Sequence, residues 1–203
     1  MLGQPEGFEY VEKFLPFPQQ LTVLKELRGL PYEHEMFHGR LMKRKWKQFG
    51  YRYKATSRKV DPEPPMPAYL QALLQNASAY YSDDLAFTQC IVTKYPPGAG
   101  IGWHSDAAVF GEYILGVSLA SAARLQFRPK KTQKATFEVT VAPGSLYVMH
   151  GSARYHYEHR IVPVKTERYS LTFRYLAQEE PVRSVSPRHM AEVINLAAWL
   201  TTS

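Results

Sequence analysis

The sequence predicts a mostly β protein with flanking helices (α+β), built on a double-stranded β-helix or jelly-roll core. Three observations predict it. Short β-rich stretches follow one another from residue 87 to 176, separated by turn signals such as Pro143-Gly144 and Pro129-Lys130-Lys131. Two helical stretches precede them, in the order expected for helices packed outside a sandwich. A His-x-Asp at one strand end and a His on a distant strand can meet in the mouth of such a sandwich.

Taken in order, residues 8–11 read as a short strand and 15–18 as a turn. Residues 19–27 read as a helix with Leu21, Leu24 and Leu27 at helical spacing. The alternation in Phe49-Gly50-Tyr51-Arg52-Tyr53-Lys54 reads as a hairpin or flap with one aromatic and one basic row. Residues 61–67, with four prolines, form a stiff extended linker. Pro67 opens a second helix to about residue 80, with Leu70, Leu73, Leu74 and Ala77 inward. Strands follow at 87–95, 113–119, 123–127, 136–141, 145–149 and 168–176. The loop 96–100 delivers His104 and Asp106. A last helix is expected over 187–200, with Met190, Val193, Ile194 and Ala197 as its apolar stripe. The length of 203 residues suits one domain.

With 45% apolar residues and 13% aromatics, the chain can build a sizeable core. It holds no apolar run long enough for a transmembrane helix, and its start lacks the pattern of a signal peptide. Cys90 is the only cysteine, which excludes an internal disulfide, and Gln89-Cys90-Ile91-Val92 places it in a buried strand. The expected compartment is the cytoplasm, or the nucleus in a eukaryote, and the expected state a monomer. The net charge of +7 and a pI near 9.4 favour anionic partners, nucleic acid before membrane surfaces. From Met36 to Val60 there are nine basic residues and no acidic one, with Trp46, Phe49, Tyr51 and Tyr53 interleaved. Within this flap (36–60), Lys43, Arg44, Lys45, Lys47, Tyr51, Arg52 and Tyr53 are the candidate nucleic-acid contacts. The alternative is a solvated surface hairpin with Phe49 and Tyr51 in the core.

His104, Asp106 and His159 carry the chemistry. Two imidazoles and one carboxylate on one side of a metal leave the other positions open, the arrangement of non-haem Fe(II) oxygenases. His150 and His156 compete for the third place, but His159 precedes the arginine strand at a short interval. Arg168 and Arg174 lie six residues apart in Arg168-Tyr169-Ser170-Leu171-Thr172-Phe173-Arg174. A guanidinium can hold a dicarboxylate through paired hydrogen bonds, and Arg168 is the choice for the far carboxylate of 2-oxoglutarate, with Tyr95 adding a hydrogen bond. A bulge between the two arginines would be needed for both to touch one small dicarboxylate. Trp103, beside His104, is expected to line the substrate pocket.

These residues resemble the AlkB family of Fe(II)/2-oxoglutarate dioxygenases. Tyr95-Pro96-Pro97-Gly98 followed by His104-Ser105-Asp106 resembles the family's Asn-x-Tyr-x-x-Gly…His-x-Asp block. Pro143-Gly144-Ser145-Leu146 resembles its Gly-[Asp/Ser]-Leu strand, and 168–174 its Arg-x-Asn-Leu-Thr-Phe-Arg signature. The resemblance implies His104, Asp106 and His159 as iron ligands. It puts Arg168 and Tyr95 at the distal carboxylate of 2-oxoglutarate, and Arg174 at the keto-acid end. Thr93 and Ser170 stand at two asparagine positions of the cosubstrate site and keep a hydroxyl there. Ala107-Ala108 stands where several members carry an acidic residue that helps read the damaged base. The implied cofactors are Fe(II), 2-oxoglutarate and O2. The implied reaction is oxidative removal of alkyl groups from nucleobase nitrogens, in DNA or RNA, releasing formaldehyde and succinate. Segment 40–59 falls where the family carries its nucleotide-recognition lid, and the target base would be single-stranded or flipped out. The alternatives are a dioxygenase acting on a protein or small molecule, and a non-catalytic jelly-roll binding module.

Overall fold

Alternating side chains sort the strands into two facing sheets, and the sheets position the site. The structure, a computed structural model, describes residues 3–177 except 38, 39, 55, 56, 58, 79, 81–85 and 133. The helix expected over 187–200 lies outside the described residues. The chain runs β1 (Phe8–Val11), α1 (Phe17–Arg28), β2 (Glu33–Phe37), β3 (Arg40–Phe49), β4 (Tyr51–Lys54), β5 (Lys59–Pro62) and α2 (Ala68–Ser78). It continues through β6 (Gln89–Tyr95), β7 (Ile101–His104), β8 (Ile114–Leu119), β9 (Ala123–Pro129), β10 (Phe137–Val141) and β11 (Ser145–Met149). A short helix α3 (Gly151–Tyr155), then β12 (Tyr157–Ile161) and β13 (Arg168–Arg174), complete it.

A seven-stranded sheet has the order β1-β11-β8-β13-β6-β3-β2, and a four-stranded sheet the order β10-β9-β12-β7. Their neighbouring strands pair antiparallel, and β4 and β5 form a separate hairpin. This is the jelly roll expected from the strand pattern.

The large sheet is apolar on both faces because both are covered. Val92, Val117, Leu171 and Phe173 pack in one cluster with Leu24 and Leu27 of α1 and Leu70 and Leu73 of α2. Tyr95, Ile114 and Tyr147 point the other way and meet Leu125, Phe127 and Ile161 of the small sheet. Each fully buried side chain of this size contributes roughly 1.5–3 kcal/mol. Across the inner face runs a row of hydroxyls, one per strand: Thr93 opposite Ser170, Ser170 opposite Ser118, Ser118 opposite Ser145. Small polar residues in the middle of a sandwich leave room between the sheets.

Several elements differ from the sequence reading. In α1 the buried residues are Val23, Leu24 and Leu27, while Leu21 is 50% exposed. At 3.6 residues per turn, Leu21 lies about 110° round the helix from the centre of that stripe. The basic segment is not one flap. β3 is a full strand of the large sheet, between β6 and β2, and only β4 with β5 projects as a hairpin. The start of the proline segment, Asp61 and Pro62, is therefore strand and not linker. β13 pairs with β6 without a bulge, so Arg168 and Arg174 stay on one face but at opposite ends of the strand.

Gly50 joins β3 to the hairpin at φ 80°. Its N–H donates to the Pro64 carbonyl and its own carbonyl accepts from the Glu63 N–H, both at 2.8 Å. A Cβ there would overlap the carbonyl oxygen of Thr88. Gly50→Ala is expected to destabilise the protein by at least about 1–3 kcal/mol, because a left-handed backbone and a clash coincide. Thermal unfolding measures it, at roughly 2–4 °C per kcal/mol for a chain of this size. An unchanged midpoint would refute the constraint.

Candidate iron and cosubstrate site

The first two histidines meet across a strand pair. His159 of β12 lies opposite His104 of β7, and Ile161 lies opposite Ile101, so three steps on β7 face two on β12. That bulge brings Ile101 and His104 both to the inner face. The two imidazole centroids are 4.3 Å apart and inclined at 56°. His104 Nδ1 is 2.9 Å from the Gly102 carbonyl oxygen. A carbonyl only accepts, so Nδ1 carries the proton and Nε2 keeps a lone pair for a metal.

Asp106 follows β7 in a loop and turns back between the sheets. Its Oδ1 accepts from Arg174 Nη1 at 2.8 Å, and its Oδ2 lies 3.7 Å from His159 Nε2. Donor atoms that share an ion sit about 2.0–2.2 Å from it, so two of them lie at most about 4.4 Å apart, and this pair falls inside that limit. Among the described residues no three His, Cys, Asp or Glu side chains form a ready-made cage. Asp106 gives one oxygen to Arg174 and turns the other toward His159.

Electrostatics suits metal binding. Burial would raise the Asp106 carboxyl, but Arg174 above all, then the histidines, outweigh it and hold the group well below the usual carboxylate range. Burial, reinforced by His104, pulls the His159 imidazole down to about 3, so it is a neutral ligand at neutral pH. Burial also lowers the Arg174 guanidinium, and Asp106 opposes that shift.

Arg168 is fully buried at the other end of β13. Its Nε donates to Ser118 Oγ at 3.0 Å and its Nη2 to Ser170 Oγ at 3.4 Å, while its guanidinium lies 5.1 Å from the Tyr95 ring centroid. Its Nη1 is buried with no partner. A buried cationic donor left unpaired is costly, and a carboxylate is the group that satisfies it best. Thr93 stands opposite Ser170 in the neighbouring strand. The donor set thus fits a dicarboxylate reaching from the His104–Asp106–His159 end toward Arg168.

Two expected residues lie elsewhere. Trp103 faces outward, because the β7 bulge that turns His104 in turns its neighbour out. The guanidiniums of Arg128 and Arg160 both lie over its ring, each 4.6 Å from the centroid. It does not line the inner pocket. Arg52 is not a free cation: it pairs with Glu33 and Glu63 and stacks on Trp46 at 4.6 Å. The acid-free run meets acids from outside itself, since Lys47 Nζ is also 3.9 Å from Glu33 and Lys54 pairs with Asp61. Lys43 is exposed, and Arg44 and Lys45 are half-buried. Phe49 is buried in the helix-side cluster, while Tyr51 and Tyr53 are half-buried against the inner one.

The sequence reading missed Arg154. Its guanidinium, 4% exposed, donates to the carbonyls of Asp106, Ala107 and Phe110 at 2.9, 2.8 and 3.2 Å. It clamps the loop that carries Asp106. An arginine in the apolar neighbourhood of Ala153 and Tyr155 was the available signal.

Residues 8–174 match the 2OG-Fe(II) oxygenase superfamily. The chain belongs to that superfamily, whose name carries Fe(II) and 2-oxoglutarate as its metal and cosubstrate. Within it the chain is AlkB-like. It is 29% identical over 171 residues to the mouse tRNA (carboxymethyluridine(34)-5-O)-methyltransferase ALKBH8, a match covering 79% of this chain but only 25% of that protein. It is 30% identical over 143 residues to the alpha-ketoglutarate-dependent dioxygenase AlkB of Escherichia coli, covering 64% of this chain and 66% of AlkB. The structure of OsALKBH1 shares the fold, with a TM-score of 0.68, 17% identity, and 86% of this chain and 98% of that chain covered.

His159 makes the metal-free protein acid-sensitive. An unfolded His binds a proton near pH 6.5, whereas the folded one resists until about pH 3, so stability is present above pH 6.5 and falls as pH drops toward 3. Asp106 adds a loss only below about pH 4. Urea midpoints in EDTA should fall between pH 6.5 and 4 for the wild type, and fall less for His159→Gln. Parallel profiles for the two proteins would contradict the assignment.

Proposed function

We propose that the protein removes N-alkyl groups from nucleobases in single-stranded or flipped-out nucleic acid. His104, Asp106 and His159 hold the iron, and Arg168, with Tyr95, Thr93 and Ser170, holds 2-oxoglutarate. When bound, the iron with 2-oxoglutarate and O2 would supply the oxidation: one oxygen atom of O2 enters the C–H bond as a hydroxyl and the other enters succinate as 2-oxoglutarate loses CO2. Hydroxylation of an N-methyl carbon leaves a hemiaminal, which breaks its C–N bond to give formaldehyde and the free base.

The chain's own residues bind and orient. Arg168, with two serines fixing its plane, offers Nη1 to one end of the cosubstrate. Arg174 fixes one oxygen of Asp106 and so aims the other toward His159. Arg154 holds the Asp106 loop from behind. Phe127, Ile161 and Tyr147 exclude water between the sheets.

The observation that carries the cosubstrate reading is the unpaired, buried Arg168 Nη1. The nucleic-acid reading is supported by the β2–β3 tip, where Met36 and Leu41 lie opposite each other, 60% and 59% exposed, near exposed Lys43. Apolar surface beside an exposed lysine suits a splayed base and its phosphate. The mouse relative is named for action on tRNA, so RNA heads the substrates to try. A second reading, a protein or small-molecule substrate, is favoured by the neutralisation of Arg52, Lys47 and Lys54 by nearby acids.

Incubation with Fe(II), 2-oxoglutarate, ascorbate and RNA or DNA oligonucleotides carrying 1-methyladenine, 3-methylcytosine or etheno bases should yield dealkylated product by mass spectrometry. No product on any of them, with succinate still formed, would leave the second reading in place. Single-strand affinity should fall with salt if phosphates are contacted, by a log–log slope of about −0.7 per contact.

Arg168→Met should raise the KM for 2-oxoglutarate roughly 10- to 150-fold, the loss of a charge-assisted hydrogen bond of about 1.5–3 kcal/mol. Its single-strand affinity should stay unchanged. Lys43→Ala with Lys45→Ala should do the reverse, measured by succinate release and by titration of a fluorescent oligonucleotide. Equal losses of both properties in either variant would refute the division.

A further inference from the structure

We infer that Gln89 is a positioning residue that ties the β4–β5 hairpin to the metal-ligand carboxylate Asp106. The inference rests on Asp106 being a ligand, as proposed above.

Gln89 is fully buried at the start of β6, directly opposite Arg174. Its side-chain Oε1 accepts from Arg174 Nε at 2.8 Å. Its Nε2 donates to the Tyr51 carbonyl at 2.6 Å and to Gln48 Oε1 at 3.2 Å. Arg174 can only donate, so the amide oxygen must face it and the NH2 must face the hairpin. Both NH2 hydrogens and the oxygen are used. Arg174 in turn donates from Nη1 to Asp106 Oδ1. An unbroken line of hydrogen bonds therefore runs from the first residue of the hairpin, through Gln89 and Arg174, to Asp106.

A second contact runs beside it. Phe110 lies under the Arg174 guanidinium at 4.0 Å and meets the Tyr53 ring edge-on at 6.1 Å. The hairpin's hinge, Gly50, sits against the carbonyl of Thr88, next to Gln89.

If the hairpin lifts, the Gln89 NH2 loses the Tyr51 carbonyl inside an apolar wall. A buried donor without an acceptor is unfavourable, so the amide reorients and Arg174 loses its Nε partner. The orientation of Asp106 is thus linked to a seated hairpin. By reciprocity, binding that holds Asp106 in place holds the hairpin down. A mouth element linked in this way favours a complete metal site only when the hairpin is seated.

Hydrogen–deuterium exchange of the β4 and β5 amides tests this without any oxidised product. It is run in EDTA and with Mn(II) plus 2-oxoglutarate, with Mn(II) binding followed separately by electron paramagnetic resonance. In the wild type, loading should slow exchange of these amides. Gln89→Met removes the whole link, and Gln89→Glu keeps the acceptor for Arg174 but removes both donors. In each, exchange in EDTA should be roughly 5- to 10-fold faster, and the slowing on loading should disappear. Gln48→Met, which removes only the acceptor that steers the amide, should show partial loss and serves if the Gln89 variants do not fold. A merely structural Gln89 would speed exchange in both states and preserve the slowing; that result overturns the inference, as does a wild type that binds Mn(II) with no change in the hairpin. Absence of Mn(II) binding overturns the ligand assignment and the link with it, whereas failure to dealkylate nucleic acid touches neither.

Discussion

A carboxylate and a guanidinium shielded from water between two sheets organise this protein. Asp106 and Arg174 face each other with side chains 8% and 9% exposed. Taking both charges out of water costs several kcal/mol each, and their attraction offsets that only when the remaining donors and acceptors are also satisfied. Gln89 satisfies Arg174 Nε, and Phe110 covers the guanidinium plane. The strand pairing of β13 with β6, the loop after β7 and the hairpin at Gly50 all have to be in register for this arrangement to exist. Stability and chemistry are therefore constrained by the same few contacts.

The two arginines of β13 divide the inner face. The strand is regular, so residues six apart share a face yet stand at opposite ends of it. Arg174 serves the carboxylate among the histidines, and Arg168 waits at the far end with one nitrogen unsatisfied. The hydroxyl row from Thr93 to Ser145 lies across the middle of the sheet, where bulky side chains would close the space.

Much of this was legible in the sequence. The jelly-roll class, both long helices and most of the strands follow from period and turn chemistry, whereas the order of the strands within the sheets does not. What was not legible depended on geometry that spacing does not encode. A single extra residue on β7 inverts the direction of Trp103 while leaving the His-x-Asp pattern intact. Arg52 looks free in a run without acids, yet Glu33 and Glu63 reach it from a neighbouring strand and from beyond the hairpin. Leu21 satisfies a helical spacing but lies off the axis of burial set by Val23. Arg154 acts through backbone carbonyls and Gln89 partly so, and no motif records a partner that every residue possesses.

Cys90 illustrates how one β-strand separates two environments. Gln89 points into the space between the two sheets, while its neighbour points to the helix-covered side, where the thiol is wholly buried and burial pushes its ionisation far upward. Oxidants attack accessible thiolates first, and the chain's single sulfhydryl is neither accessible nor ionised, so this strand position keeps it out of redox chemistry.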